Sequence, residues 1–280
     1  MPPLIAIIGT GAMGSAVAQR LVAHGCRVIT ELEGRSAASV QRARDAGMTA
    51  ATRDQLATAD FVLSIVPPAV ATLVAEQLAP LLAAAARKAV YVDCNAVSPK
   101  TVRAIAAVIG PTGWAFADAG IIGLPPTVSG HTVFYAAGPA GLRFADLGSR
   151  GLDVRVLDGP VGAASALKMS YAGMTKGVTA ICTAMILAAS RAGAAPALRA
   201  ELGDSRPELL AWARRQLPGA FPRAYRWVAE MEEIAEFASE DPAAQQIYLG
   251  IARLYARLAA DVAGPNADTR ALQDFLREDG

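Results

Sequence analysis

The sequence predicts an α/β domain, a doubly wound and mainly parallel sheet covered by helices, followed by an all-helical domain. Three observations predict it. The first is L-I-A-I-I-G-T-G-A-M-G at residues 4–14, an apolar and β-branched run entering a turn with glycines at Gly9, Gly11 and Gly14. The second is an alternation of strand-like runs with alanine-rich stretches up to about Pro160. The third is a change after Gly162, beyond which no strand run stands out and long alanine- and leucine-rich stretches are broken at 193–196, 204–207, 218–222 and 241–242. The expected domains are therefore residues 1–161 and 162–280.

The elements follow in order. Strand-like runs fall at 4–8, 27–31, 61–66, 89–92, 114–119, 132–136 and 152–157, with helical stretches such as 36–46 and 69–85 between the early ones. The glycine turn after the first run opens S-A-V-A-Q-R-L-V-A-H-G, helical in pattern and closed by Gly25. In a strand–turn–helix of this kind Gly9 permits the sharp turn. Gly11 lets the backbone approach a pyrophosphate, and Gly14 lets the helix pack on the strand. The first helical amides, around Ala12, Met13 and Gly14, lack intrahelical partners and face the anion, with the helix dipole behind them. This is a Rossmann-type dinucleotide turn. Residues 163–190 read as one helix of more than 25 residues, ~40 Å long at ~1.5 Å per residue. A helix so long and apolar seeks burial on most sides, which predicts a homodimer through the helical domain.

Bulk properties exclude several classes. The chain has 280 residues, 53% hydrophobic and 18% charged, with net charge +1, so no basic footprint for nucleic acid exists. Three scattered cysteines (Cys26, Cys94, Cys182) and two histidines form neither a disulfide framework nor a zinc-ligand pattern, which favours a reducing cytoplasm. The mean hydropathy of +0.33 invites a membrane reading. The apolar start lacks a basic leader, however, and the apolar stretch 177–189 is short for a span, so a buried core helix is expected.

The end of the second strand run separates the two nicotinamide cofactors. An acid there binds the ribose 2′-hydroxyl of NAD, and a nearby arginine receives the 2′-phosphate of NADP. The text is T-E-L-E-G-R-S at 30–36. Glu31 and Glu33 both lie in the window for the acid. If Gly34 ends the strand, Arg35 and Ser36 clamp a phosphate, which favours NADP over NAD. A second cofactor-facing segment is S-I-V-P-P at 64–68, where the strand run gives way to a loop through Val66, Pro67 and Pro68.

These residues resemble a known family. G-T-G-A-M-G, A-D-F-V-L-S-I-V-P-P, D-C-N-A-V-S-P-K-T at 93–101 and V-G-A-A-S-A-L-K-M-S-Y at 161–171 are similar to the β-hydroxyacid dehydrogenases, which include 3-hydroxyisobutyrate and 6-phosphogluconate dehydrogenases and imine reductases. The segment A-Y-R-W-V-A-E-M-E-E-I-A at 224–235 resembles a branch with a C-terminal domain of unknown function. The resemblance implies that Lys168, on the family's interdomain helix, is the catalytic acid/base. Its neighbours Leu167 and Met169 predict partial desolvation, which disfavours the ammonium and suits proton transfer. The chain departs from the family where an asparagine usually follows the lysine by one turn. Tyr171 stands there instead and supplies a hydroxyl. Ile122 takes the place of the family's substrate-binding serine, beside Gly123, and cannot hydrogen-bond a carboxylate. Asn95 replaces a small hydroxyl residue and retains hydrogen-bonding groups for nicotinamide or substrate. Thr175 and Lys176 lie two turns after Lys168 and either line the same pocket or form an ordinary helix surface. Tyr225 and Met231 correspond to family positions bordering substrate.

The expected activity is hydride transfer between NADP and a small hydroxy acid or alcohol and its carbonyl form. Imine reduction, which needs no carboxylate clamp, is the alternative within the class. A non-catalytic NADP-binding redox sensor is the alternative outside it.

Overall fold

The computed structural model describes residues 2–126 and 131–277. The chain divides into two compact units, Met1–Met169 and Ser170–Gly280, with the division inside a long helix. The sequence boundary between 161 and 162 falls just before that helix begins.

In the first unit the chain runs β1 (Leu4–Ile8), α1 (Ala12–Ala23), β2 (Arg27–Glu31), α2 (Ala37–Asp45), β3 (Thr49–Ala51), α3 (Arg53–Leu56), β4 (Phe61–Ser64), α4 (Pro68–Ala84), β5 (Val90–Asp93), α5 (Pro99–Ile109), β6 (Ala115–Gly123), β7 (Thr132–Ala137), α6 (Gly141–Ala145) and β8 (Asp153–Val156). The strands form one sheet in the order β3-β2-β1-β4-β5-β6-β7-β8. Among the described residues only β6 and β7 pair antiparallel. Chain direction reverses its march across the sheet between β1 and β4, so the crevice beyond their carboxyl ends is the topological switch point where ligands bind in such folds.

A parallel sheet covered on both faces needs apolar residues at both parities of each strand. Ile5, Ile7, Phe61, Leu63, Val90 and Val92 pack on one face. Ala6, Ile8, Val62 and Tyr91 pack on the other, with α4 and α5 residues such as Leu78, Val102 and Ile105. The sequence reading missed β3. Its T-A-A is too short and too exposed to make an apolar run, and tertiary pairing with β2 holds it as a strand. The run at 27–31 is β2 itself, and the longer strand to Gly34 that the phosphate clamp was conditioned on does not form. The strand stops at Glu31, and Gly34 sits in the following turn with φ +69°.

Helix α7 (Ala163–Arg191) has 29 residues, ~43 Å of helix. It is the one described helix long and apolar enough, by length and composition alone, to cross a membrane, and 44% of its apolar window is buried inside the protein. The second unit continues with α8 (Ala195–Ser205), α9 (Pro207–Ala220), α10 (Ala224–Phe237), α11 (Pro242–Ala263) and α12 (Ala267–Leu276). Gly173 on α7 leaves room for the ring of Tyr248, whose hydroxyl would lie 2.9 Å from an added Cβ. The Tyr255 hydroxyl donates to the Lys176 carbonyl at 2.7 Å, and the Tyr255 ring meets Trp227 edge-on at 5.1 Å.

Candidate functional site: the carboxyl edge of the sheet

The glycine turn has the shape that the sequence demands. Gly9 has φ +109°, and a Cβ there would collide with the Ile65 carbonyl oxygen. Gly14 lies so close to β1 that a Cβ would collide with the Gly9 carbonyl oxygen. Around Gly11, by contrast, a Cβ would meet nothing within 4 Å. Two of the three glycines thus serve packing, and the third leaves open space in front of α1. Gly11 is the N-cap of α1 and offers no side-chain acceptor, and no acid stands in the first turn. The amides of the first turn, with Gly11 and Ala12 exposed and Met13 half-buried, are left for an external anion. A pyrophosphate fits this cradle. The turn is braced by Ser15 Oγ and Arg42 Nε, which donate to the Thr10 carbonyl at 3.2 and 2.9 Å.

Arg35 and Ser36 are exposed at the start of α2. Ser36 is the N-cap; its Oγ accepts from the Ser39 amide at 3.3 Å and donates to Ser39 Oγ at 3.1 Å. Glu33 is exposed in the turn before them. Glu31 is engaged elsewhere: its two carboxylate oxygens accept from Nε and Nη2 of Arg53 at 3.0 and 3.1 Å.

The next strands deliver a polar cluster. The register aligns Ile8 with Ser64, Ser64 with Asp93 and Asp93 with Asp118, so the ends of β1, β4 and β5 lie level with Asp118 in the middle of the longer β6. Asn95 is 4% exposed. Its Oδ1 accepts from the Val66 amide at 2.7 Å, and its Nδ2 donates to Ser64 Oγ at 3.1 Å and Asp93 Oδ2 at 2.8 Å. Both side-chain donors are spent on the protein, so Asn95 ties β5 to the Val66–Pro67–Pro68 loop, where the sequence reading had its amide facing nicotinamide or substrate. Pro67 is the N-cap of α4 and Pro68 its first residue. Burial, reinforced by Asp93, pushes the Tyr91 phenol and the Cys94 thiol well above their ordinary values, so both stay neutral and Cys94 is no nucleophile. Asn95→Ala is expected to cost about 2–3 kcal/mol and roughly 4–10 °C of melting temperature, with faster hydrogen exchange at the Val66 amide. A melting temperature unchanged within a degree would contradict the tie.

Asp118 on β6 holds the start of α7. Its Oδ2 accepts from the amides of Gly162, Ala164 and Ser165 at 2.8, 3.1 and 3.1 Å, and its Oδ1 accepts from Ser165 Oγ at 2.7 Å. Burial pushes its carboxyl up, against the hydrogen bonds that hold it down. Two residues on, Gly120 admits α7 to close approach: a Cβ there would lie 2.8 Å from the Ala164 carbonyl oxygen and 3.0 Å from Lys168 Cβ. Lys168 is thereby seated, half-buried, against the carboxyl half of β6. Strand β6 is three strand positions from β1, ~14 Å across the sheet. Ile122 is half-buried and Gly123 exposed at the end of β6, where Gly123 has φ +124°.

The remaining predicted residues belong to the helical unit. Tyr171 is 49% exposed on α7 and Tyr225 68% exposed on α10. Thr175 is exposed, and its hydroxyl donates back to the Tyr171 carbonyl at 2.9 Å. Lys176 forms an ion pair with Glu230 under the Trp227 ring, 5.3 Å from the ring centroid, so its charge is already balanced inside that unit. Met231 is fully buried in the helical core and lines no open surface. The strand–turn–helix cradle and the switch-point crevice are those of a dinucleotide-binding domain.

Comparison with known proteins agrees. Residues 4–142 match the NAD binding domain of 6-phosphogluconate dehydrogenase. Residues 189–258 match a domain of unknown function, DUF1932. The conserved protein MTH1747, of unknown function and described as structurally similar to 3-hydroxyacid dehydrogenases, is 30% identical. The match covers 93% of this chain and 98% of that one, with a TM-score of 0.69. A conserved hypothetical protein from Sinorhizobium meliloti is 24% identical over 98% and 97% of the two chains, TM-score 0.70. The 3-hydroxyisobutyrate dehydrogenase of Mycobacterium tuberculosis, solved with L-serine, is 20% identical over 99% and 100%, TM-score 0.72. No curated protein sequence matches the chain. The chain belongs to the β-hydroxyacid dehydrogenase family, in the branch carrying that C-terminal domain, and is an NAD(P)-dependent dehydrogenase or reductase.

Proposed function

We propose that the protein is an NADP-dependent oxidoreductase that moves hydride between the nicotinamide and a small hydroxy acid or alcohol and its carbonyl form, with Lys168 as general acid/base. The observation that carries this reading is Lys168 itself, held half-buried at the carboxyl half of β6 by the Asp118 grip on α7 and the close approach at Gly120. A lysine so placed takes the proton of an alcohol as hydride leaves, or returns one to a carbonyl as hydride arrives. The amides of the α1 turn would hold the pyrophosphate of the dinucleotide, and Arg35 and Ser36 its 2′-phosphate; when bound, the nicotinamide would accept or give the hydride. Tyr171, one turn along the helix from Lys168, offers a hydroxyl beside that amine. The exposed stripe Tyr171, Met174, Val178, Ile181 and Met185 recurs every three or four residues along α7 and supports a homodimer through the helical domain.

Imine reduction is the second reading. Ile122 favours it, because no serine is present there to grip a carboxylate. A reductive aminase from Aspergillus terreus, solved with NADPH, shares the fold at 19% identity and TM-score 0.57.

The test is NADPH oxidation over a panel of 3-oxo acids, aldehydes and cyclic imines, with Lys168→Met beside the wild type. Turnover on one class, reduced about 10²–10⁴-fold in the variant with NADPH binding intact, is the expected result. A fully active variant removes Lys168 from proton transfer. Tight NADPH binding without turnover on any compound marks a redox sensor instead.

A further inference from the structure

The end of β2 carries an ion pair that the reaction does not use. Glu31 stands 20 residues after Gly11, the last residue of its strand, where an acid selects the ribose 2′-hydroxyl of NAD. Arg53 covers both of its oxygens in a fork-to-fork pair, at 3.0 and 3.1 Å. Two local devices set that geometry. The β2–β3 register places Ala51 opposite Glu31. The capping box that follows, Thr52 with Gln55, starts α3 so that Arg53 is its first residue and turns back over β2. The Glu31 side chain is 16% exposed and that of Arg53 47%, so the carboxylate lies mostly against protein and its partner reaches it from the surface. Glu33, two residues on, adds to the negative field at Arg53.

We infer that Arg53 determines cofactor choice: by holding Glu31 in a bidentate pair it withdraws the carboxylate that would select a 2′-hydroxyl and would repel a 2′-phosphate. This rests on the NADP reading and adds a residue to it. Arg35 attracts the phosphate directly, whereas Arg53 acts through Glu31 and is a positioning and specificity residue. The arrangement explains how a chain with an acid at the end of β2 accommodates a phosphorylated ribose.

The experiment needs no substrate. Dissociation constants for NADPH and NADH are measured by cofactor fluorescence for the wild type, Arg53→Met, Glu31→Gln and the double variant, each checked by melting temperature. The wild type is expected to prefer NADPH. Arg53→Met weakens NADPH about tenfold and tightens NADH, and adding Glu31→Gln restores NADPH and cancels the NADH gain. That rescue is a signature that a merely structural pair would not give. If Arg53→Met changes both affinities in the same proportion, or neither, while the wild type still prefers NADPH, the role of Arg53 is overturned and the NADP reading stands. A wild type that prefers NADH overturns the NADP reading and the inference with it.

Discussion

Gly11→Ala is expected to leave the fold untouched and to weaken NAD(P)H binding about tenfold or more, whereas Gly9→Ala is expected to damage both. The difference lies in what each missing side chain makes room for. At Gly11 an added methyl meets no protein atom within 4 Å, so the melting temperature stays within about a degree of wild type. The methyl instead occupies the open space before the α1 amides, where the pyrophosphate must come to backbone distance. At Gly9 the methyl collides with the Ile65 carbonyl, and φ of +109° is a conformation that alanine avoids. Strain and overpacking together cost about 2–5 kcal/mol, roughly 5–15 °C in a chain of this size. Calorimetry and cofactor fluorescence on the two variants separate the effects. A Gly11→Ala protein that binds NAD(P)H like the wild type would sink the assignment of the turn.

Asp118→Ala is expected to loosen the start of α7. Three amides and a hydroxyl lose their acceptor in a buried setting, while the cost of burying a carboxylate is relieved. The balance is a loss of about 3 kcal/mol, roughly 10 °C, with faster hydrogen exchange confined first to residues 162–165. Asp118→Asn is the discriminating control. Its carbonyl oxygen can take the three amides, and its NH2 can donate to Ser165 Oγ once that hydroxyl rotates. It therefore costs only about 1 kcal/mol. Equal destabilisation by the two variants would mean that the charge, not the hydrogen-bond geometry, holds the helix.

Much of this was legible in the chain because it is local. The run at 4–8, the glycines after it and the helical pattern beyond lie within about twenty residues, and each residue's role follows from its own backbone demands. The length of α7 was legible for the same reason, since nothing between 163 and 190 breaks a helix. What was hidden is non-local. Asp118 reads as one acid in a strand run until residues 162–165 are brought to it. Asn95 reads as an open amide until Ser64, Val66 and Asp93 use its donors and acceptor. Glu31 reads as a candidate cofactor ligand until Arg53, 22 residues away, takes both oxygens. A basic residue opening a capping box after T-A-A was the available signal for that pair. Met231 and Lys176 show the converse limit: a helical stretch marks residues of one face, and only packing tells which are core and which are paired.

The hold of Asp118 on the first turn of α7 also bears on how this chain can be recombined with its relatives. A chimaera spliced between residues 161 and 162, where composition changes, would import a foreign helix start and leave a buried carboxylate facing amides it was never matched to. A splice downstream of Ser165 keeps donor and acceptor from one parent, at the cost of joining two sequences within a continuous helix. The natural unit of exchange is therefore the sheet together with the opening turn of α7, and an exchanged helical domain would inherit the placement of Lys168 from the sheet's parent.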